Sequence, residues 1–178
     1  GKEHDADYYL RRGLAHMVWA DYQDLVGRDS SGHRGQATAA YHEAGRLDDG
    51  LGIVWLNLCN NYLHQAMRSE DPDGDLERAR EALSRGRKLD PNNFLTHLYG
   101  GDLYSQLAEL DQRRGRDPTD NRRQAIERYG QASKASPSDP LPYNSISVEY
   151  LDEAEAARAH GRDPRDALAA AAAAARGA

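Results

Sequence analysis

Cysteine occurs once in this 178-residue chain, at Cys59, and phenylalanine also occurs once. One cysteine excludes an internal disulfide and suits a reducing compartment, so a cytoplasmic location is expected. A structural zinc site needs about four Cys or His ligands at set spacings, and those spacings are missing. Valine and isoleucine are sparse, and runs of β-branched or aromatic residues are absent, which argues against a sheet. No apolar run approaches the ~18 residues of a membrane span, and the alanine run 169–175 is too short and too weakly hydrophobic to anchor in lipid. The opening Gly1-Lys2-Glu3-His4-Asp5 lacks a signal-peptide core. Positive charge is in deficit: 23 basic residues face 29 acidic ones for a net charge of −6, a poor balance for neutralising nucleic-acid phosphates.

What remains is rich in Ala, Leu, Arg, Glu and Gln, all good helix formers, and an all-helical chain is expected. It also repeats. Gly27-Arg28-Asp29-Ser30, Ser69-Glu70-Asp71-Pro72, Gly115-Arg116-Asp117-Pro118 and Gly161-Arg162-Asp163-Pro164 are four drifting copies of one segment, their aspartates 42, 46 and 46 positions apart. Glycine offers the left-handed conformation that closes a helix. Aspartate caps the next helix, proline fits its first position, and Asp120 and Asp166 fall where a carboxylate suits the helix dipole. The segment therefore reads as the turn inside a helical hairpin. After each turn a small residue, a large one four later and a small one three later share one helical stripe: Ala37, Tyr41, Ala44; Ala79, Leu83, Gly86; Ala125, Tyr129, Ala132; and, degenerately, Ala167, Ala171, Ala174. Asp49, Pro91 and Pro137 then mark the hairpin boundaries.

A third pattern precedes each turn, as Leu14-Ala15-xx-Val18, Leu58-Cys59-xx-Tyr62, Gly100-Gly101-xx-Tyr104 and Ile146-Ser147-xx-Tyr150. With Ala125, Tyr129, Ala132 and Pro137, the third copy resembles the tetratricopeptide repeat consensus, and the resemblance spans nearly the whole chain. It implies an all-α solenoid of antiparallel helical hairpins, with approximate repeats at 6–49, 50–91, 92–137 and 138–178. The period of 42 to 46 residues exceeds the 34 of that family, so both helices of each pair are expected to be one to two turns longer. The elongated repeats and Gly-Arg-Asp-Pro turns also resemble the C-terminal repeat regions of some bacterial serine/threonine protein kinases. No glycine-rich phosphate loop or His-Arg-Asp catalytic loop is present, so such a chain would be the non-catalytic arm of a signalling protein.

In the tetratricopeptide family an extended peptide lies along a concave groove lined by first-helix positions. Transferred residue by residue, those positions give Tyr9, Arg12, His16 and Trp19; Leu56, Asn57, Asn60 and His64; Tyr99, Asp102 and Gln106; and Asn144, Val148 and Asp152. The expected site is thus Arg12, His16, Asn57, Asn60, His64, Tyr99, Asp102, Gln106, Asn144 and Asp152, where Asn and Gln can bond peptide groups from either side. Arg12, His16 and Asn57 echo the start of the carboxylate clamp some relatives carry, but Leu95 and Tyr99 stand where its later cations belong, so that specificity is not expected.

Other readings compete with this one. Asp71-Pro72-Asp73-Gly74-Asp75 resembles the start of a calcium loop, but the twelfth position is Ala82, and capping explains the aspartates better. His4, Asp5 and Asp7 could together offer metal ligands, and Cys59 with His16 or His64 could form a nucleophile pair; a small buried spacer is the simpler role for Cys59. The basic residues of the second helices (Arg78, Arg80, Arg85, Arg87, Lys88, Arg122, Arg123, Arg128) read as a solvated face, or as a stripe for an anionic partner. A hydrolase built on His and Asp residues of the groove is the least favoured reading, since no convergent triad emerges, and no catalytic residue, metal or cofactor is assigned. The expected partner is a protein or peptide, not nucleic acid or membrane, with self-association as the alternative.

Overall fold

The protein is described by a computed structural model over residues 5–178. Residues 1–4, including the His4 of the metal reading, lie outside the described residues. Among the described residues eight helices follow one another: α1 (Ala6–Leu25), α2 (Ser31–Leu47), α3 (Gly52–Ala66), α4 (Asp73–Leu89), α5 (Phe94–Arg113), α6 (Thr119–Ala135), α7 (Leu141–Ala159) and α8 (Arg165–Ala175). Among the described residues there is no strand. The helices pair as α1–α2, α3–α4, α5–α6 and α7–α8, and the chain divides into two compact units, 1–91 and 92–178, each of two hairpins. Within each unit the second hairpin stacks on the first through its leading helix, α3 on α2 and α7 on α6.

The expected turns are built as the residues dictate. Gly27, Gly115 and Gly161 sit at φ of +69°, +68° and +67°, where a side chain would be strained. After each, the arginine amide reaches back to close the helix: Arg28 to Gln23, Arg116 to Asp111 and Arg162 to Ala157, each at 2.8 Å. The aspartate, the residue before the N-cap, then takes the first helical amide: Asp29, Asp117 and Asp163 accept from Ser31, Thr119 and Arg165 at 2.9–3.0 Å, while Pro118 and Pro164 stand at the N-cap and not at the first helical position expected of them. The turn between α3 and α4 has no glycine; there Ser69 Oγ donates to the Asp71 carbonyl.

Packing follows the small–large–small stripe, with one inversion. A Cβ placed on Gly13 or Gly101 would lie 2.4 Å from the ring of Tyr41 or Tyr129, so a glycine on the first helix admits a tyrosine from the second. In the second repeat the roles swap. Leu56 of α3 packs onto Gly86 of α4, and Leu83, the expected filler, is only half-buried.

The first repeat also corrects the frame of the third pattern. Leu14 and Val18 are exposed, whereas Gly13 and Met17 are buried, because Gly13, not Ala15, faces Tyr41. With Gly13 in the small slot, the two units match at a constant offset of 88 residues: Gly13 and Gly101, Arg34 and Arg122, Tyr41 and Tyr129, Asn61 and Glu149. The matched residues play matched parts. Arg34, 2% exposed, is held by Asp21 and Asp24 at 2.5 and 2.7 Å; Arg122, 6% exposed, lies between Gln112 and Glu149.

Candidate interaction surfaces

Each expected groove residue lies on a first helix, but their surroundings differ. In the first unit, Arg12 is exposed on α1. His16 turns toward its own hairpin partner, its Nδ1 3.1 Å from Nδ1 of His33 on α2, and burial with the neighbouring His33 lowers its pKa. On α3, Asn57 is buried and so cannot line an open groove. Asn60 and His64 are half-buried, and burial pushes the His64 pKa down.

In the second unit, Tyr99 packs beside the cluster of Leu98, Ala125, Tyr129 and Ala132. Asp102 accepts a hydrogen bond from the Tyr129 hydroxyl at 2.8 Å, which commits it to its own hairpin. Burial lifts its carboxyl to about 6, and burial likewise raises Glu149 and the Tyr129 hydroxyl. Gln106 is half-buried, and Asn144 and Asp152 are exposed. Of the ten expected residues, Arg12, Asn144 and Asp152 are thus openly available, Asn60, His64 and Gln106 partly so, and Asn57 and Asp102 serve the interior.

The rival sites resolve in physical terms. Cys59 is fully buried between helices. It should therefore react with a thiol reagent slowly in the native protein and rapidly once denatured; fast native labelling would contradict that burial. Asp71 is exposed at a turn, while Asp75 pairs with Arg78 at 2.6 Å, which leaves the segment as a helix start. Sequence reasoning did not group Asp21, Asp24 and His64, whose ligand atoms approach within 4.8 Å. Two of the three already bind the buried Arg34, and Arg68 reaches Asp24 at 3.0 Å, so guanidinium groups hold the place a cation would take. That network lies across three helices, and only the offset between the units could have foretold it.

Several arginines of the second helices are engaged within their own unit. Arg78 lies over the Tyr62 ring and Arg85 over the Trp55 ring, at 5.3 and 4.6 Å from the ring centres. Arg123 pairs with Asp120 and Arg80 with Glu77. A cavity of about 630 Å³ between the α6 start and the α7 end is lined by Arg116, Arg122, Arg123 and Arg162, but also by Asp117 and Glu153.

The surface that stands out belongs to α1. Val18 is 68% exposed, Trp19 55%, Tyr22 53% and Leu25 84%, with Val26 beside them. Their spacing places them on one side of the helix. Sequence reasoning placed only Trp19 here, because the misframed first repeat put Val18 in the core.

No protein-family model matches this chain, and no curated protein sequence does either. Among solved structures the chain is similar to a thermophilic TPR protein of Thermus thermophilus, at 18% identity and a TM-score of 0.58, over 95% of this chain and 98% of that one. The likeness, together with the eight paired helices, assigns the fold: all-α, a tetratricopeptide-like solenoid of helical hairpins. No helix among the described residues is long and apolar enough to cross a membrane.

Proposed function

We propose that this chain is a protein-interaction module that holds a polypeptide partner on its first-helix faces, as a non-catalytic, regulatory arm of a larger bacterial signalling protein in the cytoplasm. The exposed stripe of Val18, Trp19, Tyr22 and Leu25 carries the reading. A contiguous exposed apolar surface of this sort marks a binding face, and tryptophan and tyrosine are the side chains that most often anchor one. Arg12 lies on the same helix and Asn60 on the other first helix of that unit, while the second unit carries Gln106, Asn144 and Asp152 on its own first helices. Buried Asn57 supports the fold instead, which narrows the polar test to Asn60 and Asn144.

The test compares parent protein with two variants, Trp19→Ala/Tyr22→Ala and Asn60→Ala/Asn144→Ala, by quantitative capture and then calorimetric titration of the identified partner. The first pair should weaken binding by about 2–4 kcal/mol and the second by about 1–3 kcal/mol, with melting curves unchanged. Equal affinities for parent and both variants would move the site off the first helices. Self-association is a second reading, favoured by what the same stripe resembles inside the chain.

A further inference from the structure

The α1 stripe occupies a position that is covered elsewhere in the same molecule. Aligning the small residues Gly13 and Cys59 places Ala15 and Trp19 of α1 at Asn61 and Gln65 of α3. Those two α3 residues are the ones that stack on the preceding hairpin: Asn61 donates to the Arg34 carbonyl and to Thr38 Oγ1 of α2, and Gln65 donates to the same Thr38 oxygen. In the second unit the corresponding Glu149 of α7 meets Arg122 of α6. The exposed face of α1 is therefore a hairpin-stacking face.

The receiving face can be identified in the same way. On α2 it consists of Thr38, His42, which bonds the Tyr62 hydroxyl at 3.0 Å, and Gly45, which lies against the Trp55 ring. Aligning Ala37 with Ala167 places Leu168, Ala172 and Ala175 of α8 at these positions. Leu168 is 45% exposed, and both alanines are exposed. A helix face that meets water ordinarily carries polar residues. Here one open face offers large side chains and the other a leucine among small ones, and the two are the complementary halves of a contact the chain already makes with itself.

We infer that the partner of this α1 surface is a second copy of this chain, docked head to tail with Leu168 of its α8 on Trp19, and with Ala172 and Ala175 on the α1 positions His16 and Tyr9 that match Tyr62 and Trp55. This rests on the reading of α1 as an interaction surface and names its occupant. The contact is heterologous, so each copy keeps one free face, and association is open-ended rather than closing at a dimer.

The experiment is sedimentation velocity on the purified chain over a hundredfold concentration range, with Trp19→Glu, Leu168→Glu and their equimolar mixture. Both substituted positions are exposed, and helical content with melting curves verifies that each variant folds. The parent should show a weight-average mass that keeps rising with concentration past the dimer. Each variant alone should remain monomeric, while the mixture should form a heterodimer and stop there, because one intact α1 face meets one intact α8 face. A parent that is monomeric throughout overturns the inference, as does a Leu168→Glu variant that associates like the parent, which would indicate an α1-to-α1 contact. If the pure parent is monomeric yet Trp19→Ala/Tyr22→Ala still abolishes capture of another protein, the second-copy assignment fails while the interaction reading stands.

Discussion

Replacing Tyr129 with alanine should destabilise the second unit by about 3–5 kcal/mol, the range for truncating a large buried aromatic side chain. The ring is 3% exposed, fills the space above Gly101, and packs with Leu98, Ala125 and Ala132. Its removal leaves a cavity that glycine cannot refill and also takes the donor from Asp102. The complementary change, Gly101→Val, should be at least as damaging, since even its Cβ would sit 2.4 Å from the ring. Leu83→Ala should cost only about 1–2 kcal/mol, because Leu83 is half-buried and Leu56 fills the corresponding place. Denaturant titrations of the three variants decide the matter. If Tyr129→Ala melts with the parent, the assigned packing stripe is wrong.

Asp102→Asn should stabilise the protein by about 2–3 kcal/mol at pH 7–8 and remove a pH dependence. The sign follows from linkage. The folded-state pKa of Asp102, about 6, lies above the unfolded value of 3.8. A raised carboxyl favours the folded state fully when protonated, below about pH 4, and that contribution is lost as pH rises through about 6; a tenfold change in proton affinity corresponds to about 1.4 kcal/mol. Asparagine keeps an acceptor for the Tyr129 hydroxyl without the buried charge. The groups around this site are Tyr129 and Arg122 on α6 and Glu149 and Asp152 on α7, and burial raises both of those acids too, so they add to the trend. The opposite tendency comes from Asp24, whose burial is outweighed by its ion pairs with Arg34 and Arg68, which hold it low; its contribution is lost as pH falls below about 4. Melting temperature should therefore peak near about pH 4 and fall as pH rises through about 6, and that fall should flatten in Asp102→Asn. A parent profile level between about pH 4 and 7 would sink this account. The first unit offers an internal comparison, because there Tyr41 donates to the Met17 sulfur instead of a carboxylate.

The hairpin punctuation was legible because it is local: a glycine, an aspartate and a proline within four residues state where one helix stops and the next starts. Tyr41, Tyr129 and their flanking alanines were legible because their spacing matches one helical stripe. Two things were hidden. The first-repeat frame was misread because Leu14 and Val18 carry the hydrophobicity of a core while Gly13 does the packing, and composition cannot distinguish an exposed valine from a buried one. The groove residues were taken from first-helix positions alone, and such positions do not reveal whether an asparagine such as Asn57 faces solvent or its neighbours. The Arg34 and Arg122 networks depend on partners from two other helices, which no single helical period brings together.

The Gly-Arg-Asp-Pro turn has a consequence for how the chain reaches this fold. Its hydrogen bonds join residues no more than five positions apart, so it can form before any helix finds its neighbour. Hairpins closed by such turns meet mainly the hairpin next to them in the chain, and little loop-closure entropy stands between the unfolded ensemble and the first stable pair. The α3–α4 hairpin alone lacks the glycine turn, and it is the one for which the chain must rely on packing, through Leu56 and Gly86, to set the direction of return. Folding should accordingly start at the glycine-closed hairpins and reach α3 and α4 last within the first unit.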